Sequence, residues 1–177
     1  RNHGIVKNIG KYHNRKNSNW FYKQENLGFN YRMNDIEAAL GISQIKKIDK
    51  WVKKRNQMAL YYKKNLSGIP VSFQEVNKNN FSSYHLFIIK INKWISKIRR
   101  NNLYYLLKSK NINTNVHYIP IHIHPFYKKL GFKKNDFPKA IDYYNNTLSL
   151  PLFVNLKKSD LDRVINEPKR IFKDIKK

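Results

Sequence analysis

The apolar positions change period along the chain. Residues 1–33 are polar and aromatic, and Trp20, Phe21, Tyr22, Phe29 and Tyr31 follow no repeat. This reads as a structured loop region, too aromatic for a disordered arm. From residue 34 a helical period takes over. Asn34 or Asp35 suits the N-cap, and Glu37 falls in the first turn, where a carboxylate complements the helix dipole. Ile45, Ile48, Val52, Ala59, Tyr62 and Leu66 then recur at spacings of 3, 4 or 7. Lys46, Lys47, Lys50, Lys53, Lys54, Lys63 and Lys64 fill the other face, which reads as solvated. The pattern stops at Ser67-Gly68-Ile69-Pro70, a Gly followed by Pro. About 33 residues is long for one helix, so a break is expected near Lys46–Asp49.

Beyond residue 70 strand and helix alternate. Strands are expected at Val71–Gln74, at Tyr84–Ile91, which is rich in β-branched and aromatic residues, and at Ile112–Tyr118. Ser149–Leu152 is a further short extended piece. Helices are expected over Ser96–Lys110, His124–Leu130 (stopped by Gly131), Pro138–Asn146 and Lys157–Ile175. Ser159 is the expected N-cap of the last, and Pro168 should kink or divide it. Mixed runs of strand and helix argue for an α+β fold. The division expected is 1–67, loop and connecting helices, and 68–177, a small α+β domain.

Composition narrows the function classes. The chain has 177 residues, enough to bury a core without covalent staples. No Cys is present, so this chain carries no disulfide framework, thiolate nucleophile or Cys-ligated zinc. No apolar run reaches the roughly 18 residues that a membrane-crossing helix needs. Arg1 to Gly10 has no apolar core of the secretory type. A cytoplasmic setting with no membrane partner is the expectation. Lys and Arg total 36 against 11 Asp and Glu, a net charge of +25. That field attracts phosphates non-specifically. Yet 28 of the 36 are Lys, beside 24 Asn, 20 Ile and 12 Tyr, residues that share AT-rich codons. Arg, the residue whose planar fork reads phosphates and guanines, is scarce. A nucleic-acid-binding module is therefore the alternative, and nucleic acid is not the expected partner.

Two segments carry candidate chemistry. Val116 to Pro125 holds His117, Tyr118, His122 and His124 between Pro120 and Pro125, which would stiffen a loop. If Ile121–His124 were extended, His122 and His124 would share a face. Zinc would still lack a third ligand, and no acid lies in the run. A packed histidine, or a donor to an anionic or hydroxyl-rich ligand, also fits these residues. The second segment is Leu27 to Asp35, with Gly28, Asn30 and Arg32 just ahead of a helix start. Free N–H groups and the dipole make such an end an anion site. Asn30 can donate to a phosphate oxygen and Arg32 can fork onto one. An ordinary capped helix start with Arg32 holding the loop is equally open. No Ser/His/Asp order or carboxylate pair stands out.

The stretch LGFNYRMNDIEAALGISQIKKID, and later INTNVHYIPIHIHPFYKKLGF and FPKAIDYYNNTLSLPLF, strongly resemble the DegT/DnrJ/EryC1/StrS family of sugar aminotransferases. RNHGI at 1–5, Trp20-Phe21-Tyr22 and VHYIPIHIHPFY resemble most the branch that serves pseudaminic acid synthesis. The likeness runs over essentially the whole chain. It implies the C-terminal part of a fold-type I transferase that depends on pyridoxal 5′-phosphate (PLP). A small antiparallel sheet covered by helices and a long connecting helix are expected. So is a homodimer that transfers an amino group, with glutamate the expected donor, to a UDP-linked 4-keto-6-deoxy amino sugar. Position by position, Asn30 matches the Asn that binds the PLP phosphate of the neighbouring subunit, with Arg32 beside it. Trp20 and Tyr22 match a loop near the nucleotide sugar. His117, Tyr118 and His122 match the segment lining the substrate side, which displaces the metal reading. The Schiff-base lysine lies ahead of the RNHG-like segment in this family. No catalytic residue is therefore expected in this chain, and alone it is expected to be inactive. A non-catalytic subunit of a split aminotransferase, or a nucleotide-sugar-binding domain, is the nearest alternative. Trp20, Phe21, Tyr22, Phe29 and the Ile36–Ile42 stretch should be left exposed, limiting solubility.

Overall fold

A computed structural model describes residues 2–6 and 22–174. The chain divides into two compact units, 1–48 and 49–177. The apolar face of the second helix shares one core with the sheet that follows it, so that helix belongs with the C-terminal unit.

In the N-terminal unit, β1 (Ile5–Val6) pairs antiparallel with β2 (Lys23–Gln24). Asn2 and Asn30 form an isolated bridge. Asn2 to Ile5 make a turn closed by the Ile5 N–H donating to the Asn2 carbonyl at 2.9 Å, with positive φ at His3 and Gly4. Gly4 is required there: a Cβ would overlap the Asn26 carbonyl, and its φ of +67° favours glycine. A Cβ on Gly28 would overlap the Gly4 backbone. α1 (Asp35–Ile45) starts at Asn34, whose side chain accepts from the Glu37 N–H while Glu37 accepts from the Asn34 N–H. This is a complete capping box. No residue of α1 is buried. Tyr22, Phe29, Ile36, Leu40 and Ile42 are all more than half exposed, as the sequence led us to expect. Trp20 and Phe21 lie outside the described residues.

The expected break falls at Lys46-Lys47, and α2 (Ile48–Leu66) follows. It buries Met58, Ala59, Tyr62 and Leu66. Three strands, β3 (Val71–Phe73), β4 (Phe87–Ile91) and β5 (Thr147–Leu150), form an antiparallel sheet in the order β3-β4-β5. Phe73 faces Ile89, Ile89 faces Leu148, and Phe87 faces Leu150. One face is therefore apolar and packs on α2, with the Tyr62 and Phe87 rings 4.9 Å apart. The other face carries Ser72, Ile88, Lys90, Thr147 and Ser149, by the alternation of the pleat. α3 (Arg100–Ser109) adds Leu103 and Leu107 to the core and packs against α6 (Lys158–Asp174). α4 (Pro125–Lys129) and α5 (Pro138–Asn146) lie between.

Several readings of the sequence need correction. Ile112–Tyr118 is not a strand; only Asn115 bridges to Ser149, through a reciprocal pair of backbone hydrogen bonds. Ile121–Ile123 is a 3-10 turn rather than extended, so no strand face presents His122 and His124 together. At α6, Ser159 lies inside the first turn, and the Asp160 carboxylate accepts from the Lys157 N–H at 3.4 Å. Pro168 sits inside this helix and is buried, so the helix continues through it.

Candidate functional site

In the N-terminal unit three side chains form a relay. The Arg32 Nε donates to the Asn30 Oδ1 at 3.1 Å. The Arg32 Nη2 lies 2.9 Å from the His3 Nε2. Arginine only donates, so the His3 Nε2 is the acceptor. Pinning the Asn30 oxygen settles the orientation of the amide. Asn30 is exposed, and its NH2 group has no hydrogen-bond partner among the described residues. The positive-φ turn at His3-Gly4 brings His3 against a residue 29 positions away. His3 was not singled out from the sequence; its signal was its place in RNHGI.

The helix end itself is not the anion site that the residues left open. The Asn34 side chain takes up the Glu37 N–H, and Asp35 and Glu37 place two carboxylates in the first turn. Both effects disfavour an anion there. The donors that remain belong to Asn30 and Arg32. Tyr22 is 56 % exposed, and Trp20 lies outside the described residues.

In the C-terminal unit the register of β5 points Ser149 away from the apolar face, and the His117 Nδ1 lies 2.8 Å from its Oγ. The His117 and Tyr118 rings meet edge to face at 4.6 Å, and Tyr118 is 74 % exposed. This pair presents a phenol outward beside a fixed imidazole. His122 behaves differently. It is buried, its Nε2 lies 3.3 Å from the Lys134 carbonyl, and its ring packs on Phe137 at 4.8 Å. The structure brings His117 and Tyr118 together and turns His122 into the protein, where it anchors the 3-10 turn. Among the described residues no three His, Cys, Asp or Glu side chains converge as a metal site.

An α+β unit with a three-stranded antiparallel sheet is the fold found in the corresponding part of PLP-dependent sugar aminotransferases. Spr1654 of Streptococcus pneumoniae, in its form with pyridoxamine phosphate (PMP), superposes with a TM-score of 0.81 at 27 % identity, over 98 % of this chain and 43 % of that one. PseC of Helicobacter pylori, an aminotransferase involved in pseudaminic acid biosynthesis, superposes with a TM-score of 0.78 at 26 % identity, over 97 % and 44 %. The spore coat polysaccharide biosynthesis protein SpsC of Bacillus subtilis is 37 % identical over 160 residues, 89 % of this chain and 41 % of that protein. The sequence model of the DegT/DnrJ/EryC1/StrS aminotransferase family matches residues 1–168, and the chain belongs to that family. It spans about two fifths of the length of these relatives.

Proposed function

We propose that this chain is the C-terminal portion of a PLP-dependent aminotransferase that acts on a UDP-linked 4-keto-6-deoxy amino sugar, with glutamate as donor. It works in the cytoplasm as a homodimer in surface-glycan synthesis, of the kind that makes pseudaminic acid. Residues 1–67 and 68–177 would be the end of the large domain with its connecting helices, and the small domain. The observation that carries this reading is the Asn30 amide, held by Arg32 with its NH2 donors unpaired. An amide donor beside a guanidinium is the chemistry that a phosphate takes, so the residues present fit the cofactor.

Asn30 would donate to the PLP phosphate of the neighbouring subunit. Arg32 orients that amide and adds positive charge, and His3 in turn holds Arg32. PLP, when bound, supplies the electron sink and carries the amino group. As the family resemblance implies, Trp20 and Tyr22 of the N-terminal unit and His117 and Tyr118 of the C-terminal unit would each contribute to recognition of a sugar nucleotide. In the C-terminal unit the Ser149 hydroxyl fixes the His117 ring, and Tyr118 offers a hydroxyl to the substrate. His122 would act through the 3-10 turn that it anchors. The lysine that binds PLP would lie outside this chain, which alone would be inactive.

The test is made on the native protein purified from its source cells, with its intact mass recorded. Incubation with glutamate and a UDP-4-keto-6-deoxy amino sugar should yield the 4-amino sugar. Asn30→Ala should weaken PLP binding by about tenfold to a hundredfold, the worth of a hydrogen bond to a charged group. PLP affinity unchanged by that substitution would remove the role of Asn30. Failure to transfer the amino group would remove the proposed activity.

A further inference from the structure

On the polar side of the sheet lies a basic hollow whose lining does not include His117. Lys90 of β4 and Lys93 both reach Asp142 of α5, at 2.7 and 2.5 Å. Two adjoining cavities share Lys93 and Asp142. One, of about 330 Å³, is lined also by Lys90 and Trp94; the other, of about 430 Å³, by Arg99 and Arg100. Both fall within the roughly 300–1,000 Å³ of small-ligand sites. Two lysines thus pair with Asp142, and two arginines line the adjoining cavity, so four cations share one carboxylate that neutralises only one of them. Arginine is scarce in this chain, yet two stand here consecutively. Arg100 is held with its guanidinium 4.8 Å from the Tyr144 ring, and its Nε is buried without a hydrogen-bond partner. The first turn of α3 has no capping side chain and no acid. Trp94 is 86 % exposed, with the Lys93 Nζ 5.3 Å from its ring centroid.

We propose that this hollow binds a nucleoside phosphate. Arg99, Arg100 and Lys93 take the phosphate oxygens, and the open ring of Trp94 stacks on the base. The concave shape and the central carboxylate favour a small ligand over an extended polyanion or an anionic membrane. None of these residues is among those that the family resemblance implies for PLP or the sugar nucleotide.

ADP is the probe, since it lacks the uracil and sugar of the proposed substrate and so reports on this hollow apart from that reading. Binding to the full chain is followed by calorimetry and tryptophan fluorescence, with inorganic phosphate and adenosine alongside. Arg99→Ala/Arg100→Ala should weaken ADP and phosphate at least about tenfold. Trp94→Ala should weaken ADP and leave phosphate unchanged. Lys53→Ala/Lys54→Ala removes the same charge from an exposed stretch of α2 and should change neither. Circular dichroism melts establish that each variant is folded. ADP affinity equal in wild type and the arginine variant overturns the site, as does equal weakening by the Lys53/Lys54 variant. Equal affinity for phosphate and ADP overturns the assignment of a nucleoside.

Discussion

At the scale of single residues, burial and partner choice separate side chains that look alike in sequence. His117 and His122 lie in one short segment, yet one meets a hydroxyl at the sheet surface and the other is enclosed against Phe137. Tyr61 and Tyr62 are adjacent too. Tyr61 donates to the Asp162 carboxylate at 2.6 Å, a carboxyl that Lys158 and Tyr61 hold below its ordinary range. Tyr62 is fully buried and donates to the Pro151 carbonyl at 2.8 Å. Desolvation, with a smaller contribution from the charge of Asp160, pushes its phenol well above the ordinary range, so it remains a donor. Tyr62→Phe keeps the ring packing and strands that carbonyl. We expect a loss of about 1 kcal/mol in urea unfolding, with an unchanged dependence on denaturant. An unchanged midpoint would show that the bond contributes nothing.

At the scale of elements, most of the helices were legible because their signals are local. Asn34 and Glu37 announce the start of α1, Gly68 and Pro70 the end of α2, and Pro138 the start of α5. Ile112–Tyr118 misled, because Ile112 and Val116 pack on the core without strand pairing beyond Asn115. Propensity reports a fit to a half-buried surface, not a ladder. The Asp142 clasp is invisible to any local pattern, since Lys90 and Lys93 lie about 50 residues away. Hydrogen bonds from the two lysines hold the Asp142 carboxyl below its ordinary range. A depressed carboxyl favours the folded state above the unfolded pKa, and that contribution is lost as pH falls through the folded value. Wild-type stability should therefore fall on acidification through and below about pH 4. Asp142→Asn should be less stable at neutral pH and lose part of that acid slope. Partial exposure of all three groups keeps the effect small. Thermal unfolding of both proteins across pH would expose the error if the two slopes coincide.

At the scale of the whole molecule, the two units differ in kind. The C-terminal unit closes a core from α2, the sheet, α3 and α6. The N-terminal unit leaves Leu27, Phe29, Tyr31, Met33, Ile36, Leu40, Ile42 and Ile45 more than half exposed. Apolar surface on that scale marks an interface. We expect this chain, isolated, to associate or precipitate despite its charge. Sedimentation that shows a stable monodisperse monomer would contradict this.

The sequence by itself determined the α+β class, the helix starts and stops, the break between α1 and α2, and the family. Each is written in local periodicity, capping chemistry or contiguous motifs. Only the tertiary structure decided that Arg32 holds the Asn30 amide oxygen, that His122 turns inward, and that Lys90 and Lys93 meet Asp142. Those outcomes depend on which distant side chains meet, as His3 meets Arg32 and Lys90 meets Asp142. Spacing along a chain does not encode distance through space until the backbone has folded.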